Sequence, residues 1–269
     1  MLSQKPAPGR SPWLRTFLPR PAAAVRLVCF PHAGGAASSF RALAELLPAD
    51  VELTAVQYPG RQDRYLAPFA TDLLALAADI HREVAPRLDR PTAFLGHSMG
   101  ATVAYETARL LRPRFPSPLL ALFASARRAP DACRPTGLDF AGDDEAVRGF
   151  IRELGGSGAD RLEEEELWQL TLPMLRSDFL LADAYRHQPG PPLGCPVIAV
   201  GGDRDARFTP EDARRWSAHT VGAFEQHELP GGHFYPEECP GLLAALLTDA
   251  LARHGAPIAA TADRPLVES

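Results

Sequence analysis

An α/β fold, with a mostly parallel central sheet flanked by helices and a helical insertion late in the chain, follows from three observations on this 269-residue sequence. Short apolar runs such as Arg26–Phe30 and Pro196–Gly202 alternate with stretches of helical periodicity, the rhythm of βα units whose strands are buried on both faces. Phe94-Leu95-Gly96-His97-Ser98-Met99-Gly100-Ala101 reads as a buried strand running through Gly-X-Ser-X-Gly straight into a helix. Between about residues 134 and 190 the alternation stops and only helical patterns remain.

The elements follow in order. Residues 1 to about 24 carry Pro6, Pro8, Pro12, Pro19 and Pro21 and read as an extended arm, with Trp13, Leu14, Phe17 and Leu18 available to pack onto the body. Arg26–Phe30 is a strand that leads into the loop Pro31-His32-Ala33-Gly34-Gly35-Ala36. That loop has neither GxGxxG nor a Walker lysine, so a phosphate cradle is a poor reading of it. Ser38–Leu47 is helical, Val51–Tyr58 is the next strand, and a helix over about Phe69–Leu88 precedes the strand before Ser98. The helix after Ser98 stops near Pro113 and Pro116, and Leu119–Ser125 supplies another strand. In the insertion, helices are predicted over Asp144–Leu154, Glu163–Leu172 and Pro173–Tyr185, the first turn of the second favoured by its Glu163–Glu166 run. The glycine-rich segment 154–159 leaves the path between the first two open. Strands at 196–202 and 224–230, a helix near Pro210–Ala218 and a last amphipathic helix over about Glu237–His254 complete one domain over residues 25–255. Residues 256–269 read as a loose tail.

Composition bounds the function classes. With 46% apolar and 23% charged residues and a net charge of -5, the chain has no basic bias toward nucleic acid. The prolines and arginines of the arm leave no signal-peptide core, and no run of 18 uncharged apolar residues follows, so no membrane partner and a cytoplasmic location are expected. Cys29, Cys133, Cys195 and Cys239 are far apart, without the spacing of a zinc site, and read as small hydrophobes. No metal, no cofactor and a monomer are expected.

Chemistry enters with the order Ser98, then an acid after the next-to-last strand, then a histidine after the last, the order of the α/β-hydrolase fold. Gly96 and Gly100 make room for a sharp turn that projects the Ser98 hydroxyl. His233, flanked by Gly231 and Gly232, is the candidate base: an imidazole near neutrality can take the serine proton and return it. His81, His187, His219, His227 and His254 fall in helices, a hinge or a strand and read as structural or surface residues. Asp203 and Asp205 both sit on the loop after the strand; Asp205, further past its end, is favoured as the acid. The oxyanion hole should combine the Met99 N–H with one from the loop after the first strand, Ala33. His32, Gly34, His97 and Phe234 are the expected pocket or substrate contacts.

Six segments together carry a family resemblance: Phe30-Pro31-His32-Ala33-Gly34-Gly35, Tyr58-Pro59-Gly60-Arg61, Gly96-His97-Ser98-Met99-Gly100, Leu172-Pro173-Met174-Leu175-Arg176-Ser177-Asp178-Phe179, Gly201-Gly202-Asp203-Arg204-Asp205 and Gly231-Gly232-His233-Phe234. From about Ser11 to about His254 the chain resembles the stand-alone type II thioesterases of polyketide and nonribosomal peptide assembly lines. The resemblance implies hydrolysis of acyl groups from the phosphopantetheine arm of acyl or peptidyl carrier proteins, an editing role that clears stalled or mis-primed arms. It carries Ser98 onto the nucleophile, Asp205 onto the acid, His233 onto the base, Met99 and Ala33 onto the oxyanion amides, and the insertion onto a mobile lid. The leading strands of larger α/β-hydrolases are expected to be missing or shortened. Arg61, Arg64, Arg127, Arg128, Arg204 and Arg207 are candidates for steering an acidic carrier protein. The alternatives are a general carboxylesterase or lipase on oxygen esters, a chain-releasing macrocyclase, and a non-catalytic carrier-protein-binding module. The chain starts at a methionine and shows no carrier domain, so a stand-alone enzyme is expected rather than a macrocyclase.

Overall fold

The computed structural model describes residues 11–111, 117–155 and 164–258. The expected helix stop at Pro113 and Pro116, the segment 156–159, Glu163, and the ends 1–10 and 259–269 lie outside them.

Among the described residues seven strands form one sheet: β1 (Leu14–Arg15), β2 (Val25–Phe30), β3 (Val51–Val56), β4 (Thr92–His97), β5 (Leu122–Ser125), β6 (Val197–Gly202) and β7 (Phe224–Leu229). Their order is β1-β3-β2-β4-β5-β6-β7, with every pair parallel except β1 against β3. The sequence reading has no strand in the arm. Leu14 and Arg15 become one because the outer edge of β3 offers unpaired backbone groups, and Gln57 N–H reaches the Trp13 carbonyl at 2.7 Å.

The helices are α1 (Arg41–Leu46), α2 (Leu73–Val84), α3 (Met99–Leu110), α4 (Asp144–Leu154), α5 (Glu165–Ala184), α6 (Pro210–Arg214), α7 (Tyr235–Glu238) and α8 (Pro240–Arg253). One apolar layer joins β2, β4 and β5 to α2 and α3, and a second joins the opposite sheet face to α1 and α8. The central strands are therefore covered on both sides, which is why they read as continuous apolar runs. At the far end Ala256 is buried and Ile258 packs on the second layer, so the body runs past residue 255.

In the insertion, the two helices expected to meet at Pro173 are one 20-residue helix, α5. Proline there removes one intrahelical hydrogen bond. Burial of Trp168 and Leu172 before it, and of Leu175 and Phe179 after it, holds the helix together across the gap.

Candidate active site

The site sits where β4 turns into α3. Ser98 has φ 53° and ψ −123°, a conformation that costs a non-glycine residue about 1–3 kcal/mol and persists only where neighbours over-determine it. They do so by close approach. A Cβ on Gly96 would stand 2.3 Å from the Gly100 carbonyl oxygen, and one on Gly100 would stand 2.1 Å from that of Phe30, so neither position admits a side chain. Ser98 N–H donates to the Ser125 carbonyl at 2.8 Å, which ties the turn to β5.

Ends of three strands then converge. The Ser98 hydroxyl donates to His233 Nε2 at 3.0 Å, and His233 Nδ1–H donates to Asp205 Oδ2 at 2.7 Å. Asp205 Oδ1 accepts from the Arg207 N–H at 2.9 Å, so both carboxylate oxygens are engaged. The imidazole and the carboxylate are both buried. Asp203 does something else: its Oδ1 accepts from Gly231 N–H at 2.9 Å and holds the loop that presents His233.

Neither the Met99 N–H nor the Ala33 N–H is used by a hydrogen bond among the described residues. Met99 is the first residue of α3, so its N–H belongs to the unpaired set at the positive end of the helix dipole. Ser98, His233, Met99 and Ala33 open into a cavity of about 110 Å³ whose far wall is Phe140, Phe150, Leu154 and Phe179 from the insertion. Three of those residues form an aromatic cluster with ring centroids 5.0–5.3 Å apart. The chamber is apolar and aromatic at one end and presents a serine oxygen at the other.

Of the expected pocket residues, His32 and Phe234 line the chamber and pack edge-on to each other at 5.0 Å. His97 lies behind His233, with ring centroids 5.4 Å apart and with Nδ1 bonded to Ser125 Oγ at 2.8 Å. Gly34 is not in the chamber wall; its N–H donates to Asp178 Oδ2 at 2.8 Å. Burial, aided by the neighbouring His233 and Arg61, lowers the His32 pKa to about 4. Burial first, then His233 and His32, hold His97 well below the usual imidazole range. Both rings are thus uncharged near neutral pH.

The arginines divide. Arg127, Arg128 and Arg207 line the chamber together with Arg134, whereas Arg64 lies 3.7 Å over the Trp13 ring and Arg204 pairs at the surface with Asp203 and Glu238. Arg61 cannot steer a partner at all. It is buried in a two-pronged ion pair with Asp178, at 2.6 and 2.8 Å, because a carboxylate 117 residues away satisfies it. Sequence reasoning missed this pair and the aromatic wall. The available signal was that Arg61 and Asp178 both lie inside the segments that carry the family resemblance.

Residues 25–250 match the family model described as a thioesterase domain. The chain belongs to the thioesterase family. Thioesterase PikA5 of Streptomyces venezuelae is 44% identical over 224 residues, covering 83% of this chain and 79% of that protein. A probable cadicidin biosynthesis thioesterase of Streptomyces griseus is 40% identical over 83% of this chain and 61% of its own length. The solved structure of the type II thioesterase BorB from the borrelidin biosynthetic cluster superposes with a TM-score of 0.80 at 40% identity, covering 89% of this chain and 97% of that one. This thioesterase therefore has the α/β-hydrolase fold and acts on thioesters. Among the described residues no helix is long and apolar enough to cross a membrane.

Proposed function

We propose that this thioesterase removes acyl groups from the phosphopantetheine arm of acyl or peptidyl carrier proteins, editing stalled or mis-primed polyketide or nonribosomal peptide assembly lines. The observation that carries the reading is the hydrogen-bonded series Ser98–His233–Asp205 opening into a small aromatic chamber, in a chain similar to thioesterases of such pathways.

In the first step the Ser98 oxygen attacks the thioester carbonyl while His233 Nε2 takes its proton. Asp205 holds the ring with Nδ1 protonated and stabilises the imidazolium. The Met99 and Ala33 N–H groups receive the developing oxyanion. Collapse expels the pantetheine sulfur, which takes the proton from His233, and leaves an acyl-serine. Water then attacks this ester with His233 again as base, releasing the carboxylic acid and regenerating the Ser98 hydroxyl. The arginines at the chamber suit an acidic carrier, so raised salt should slow turnover of carrier-bound acyl groups more than that of acyl-N-acetylcysteamine.

Intact-mass analysis of a panel of acyl-loaded carrier proteins tests the reading. The unaltered enzyme should return free-thiol carrier, and Ser98→Ala should lose turnover on the order of 10⁴-fold or more while still binding carrier. A strong preference for p-nitrophenyl esters over both thioesters would assign the enzyme to oxygen esters instead.

A further inference from the structure

The loop after β2 that carries Ala33 is fixed from outside at four backbone atoms. The Tyr58 hydroxyl donates to the Pro31 carbonyl at 3.1 Å, Arg61 donates to the Gly35 carbonyl at 2.9 Å, and the Ala37 N–H donates to Gln57 Oε1 at 3.0 Å. The fourth hold comes from the insertion: Asp178, on α5, accepts from the Gly34 N–H at 2.8 Å. Gly34 has φ +78°, and a Cβ there would stand 2.5 Å from Leu175 Cδ2, so α5 is seated directly on the turn. Within the turn, Gly35 N–H donates to the His32 carbonyl at 2.9 Å. That carbonyl and the Ala33 N–H are opposite ends of one planar trans peptide, so whatever fixes the first aims the second.

A buried ion pair that only stabilised the fold could be exchanged for apolar residues of similar volume at little cost. Asp178 and Arg61 instead also bond the turn, Asp178 accepting from the Gly34 N–H and Arg61 donating to the Gly35 carbonyl, while Arg61 Nε–H donates to the Pro59 carbonyl of its own loop at 3.2 Å. We infer that Asp178 and Arg61 are positioning residues for the oxyanion hole: the pair clamps the Gly34–Gly35 turn against α5 and so directs the Ala33 N–H at the reacting carbonyl. Neither side chain lines the chamber. The inference rests on the proposed acyl transfer at Ser98 and adds that the insertion supplies part of its electrostatic machinery.

The test uses the full chain, acyl-N-acetylcysteamine as substrate, and an alkyl boronic acid that forms a tetrahedral adduct on the serine. The paired substitution Arg61→Met with Asp178→Leu removes both charges together. It is expected to lower kcat by about 10²–10³-fold, the loss typical of one oxyanion donor, with KM within about threefold. Boronate affinity should weaken by a similar factor while affinity for the free carboxylic acid product holds. Arg61→Lys, which keeps the Asp178–Gly34 bond, should lose less than about tenfold. Should the paired variant not fold, Asp178→Asn carries the same comparison of kcat with boronate affinity. A folded variant whose kcat stays within about threefold, or whose kcat falls without the boronate following, overturns the inference. If the unaltered enzyme does not cleave the thioester, the reading of Ser98 chemistry fails instead, and the two failures are told apart in one assay.

Discussion

The two helices of the insertion meet the body in opposite ways. α5 buries Trp168, Leu172, Leu175, Asp178, Phe179 and Leu181, and its tie to the loops is an ion pair whose side chains are 5% exposed. α4 buries only Val147. Its link to the loop carrying Asp205 is Arg207, whose guanidinium lies 4.5 Å over the Phe150 ring and pairs with Glu153 at 2.8 Å, with those ion-pair side chains 31% and 51% exposed. Ion pairs with Arg176 and Glu165 join α4 to α5 at the surface. Beside the packing of Phe150 on Phe140 and Phe179 and of Arg148 over the Trp168 ring, what holds α4 includes exposed ion pairs that water can replace, whereas the ion pair of α5 is buried. One wall of the chamber is therefore tied to the body by a buried pair, and the other by an exposed pair together with the Phe150 ring.

The largest expected effect breaks the buried side of this contrast. Asp178→Ala leaves the Arg61 guanidinium uncompensated and should cost about 3–5 kcal/mol of unfolding free energy, read from denaturant midpoints at constant slope. Glu153→Ala, on the exposed side, should cost no more than about 1 kcal/mol. Equal losses would mean that the two helices are anchored alike. Next in size is the wall itself. Phe150→Ala opens the chamber on the α4 side and should move the preferred acyl chain by one or two methylenes, each worth about 0.8 kcal/mol, or about fourfold in kcat/KM. A series of acyl-N-acetylcysteamines of increasing length measures it.

The same contrast explains what could be read from the sequence. Strands β2 to β6 are covered on both faces, so they appear as apolar runs, and Ser98, Asp205 and His233 follow strand ends where that rhythm breaks. Local pattern sufficed there. It failed wherever a distant partner decides the outcome. Leu14–Arg15 is a strand only because β3 has a free edge, and α5 crosses Pro173 only because its apolar face is buried on both sides of it. Arg61 looks like any solvent-facing arginine until Asp178 arrives from the insertion. Choosing Asp205 over Asp203 rested on distance past the strand, whereas in space the two carboxylates differ by what they hold: the imidazole in one case, the Gly231 N–H in the other.

Salt gives a smaller separation. At 0.5–1 M the exposed Arg207–Glu153 pair is screened and the buried Arg61–Asp178 pair is not. Hydrogen exchange should then quicken in α4, by up to about fivefold for a loss below 1 kcal/mol, and stay unchanged in α5. Parallel acceleration in both helices would show that they open as one unit.

The smallest effect reads the charge of the clamp at its neighbour. His32 is held at about 4 by burial first, then by His233 and Arg61. Removing a nearby positive charge makes the imidazolium less unfavourable, so Arg61→Met should raise the His32 pKa; burial remains, and the value should stay below 6.5. Glu153→Gln should leave it unmoved, because neither Glu153 nor Arg207 is among the groups that shift this ring. Titration of the His32 imidazole by NMR distinguishes the two variants. In the unaltered enzyme His32 takes up its proton only near pH 4, so its NMR titration should show an uncharged ring above about pH 5. A His32 midpoint above that pH would mean that burial, the largest cause, is not holding the ring neutral.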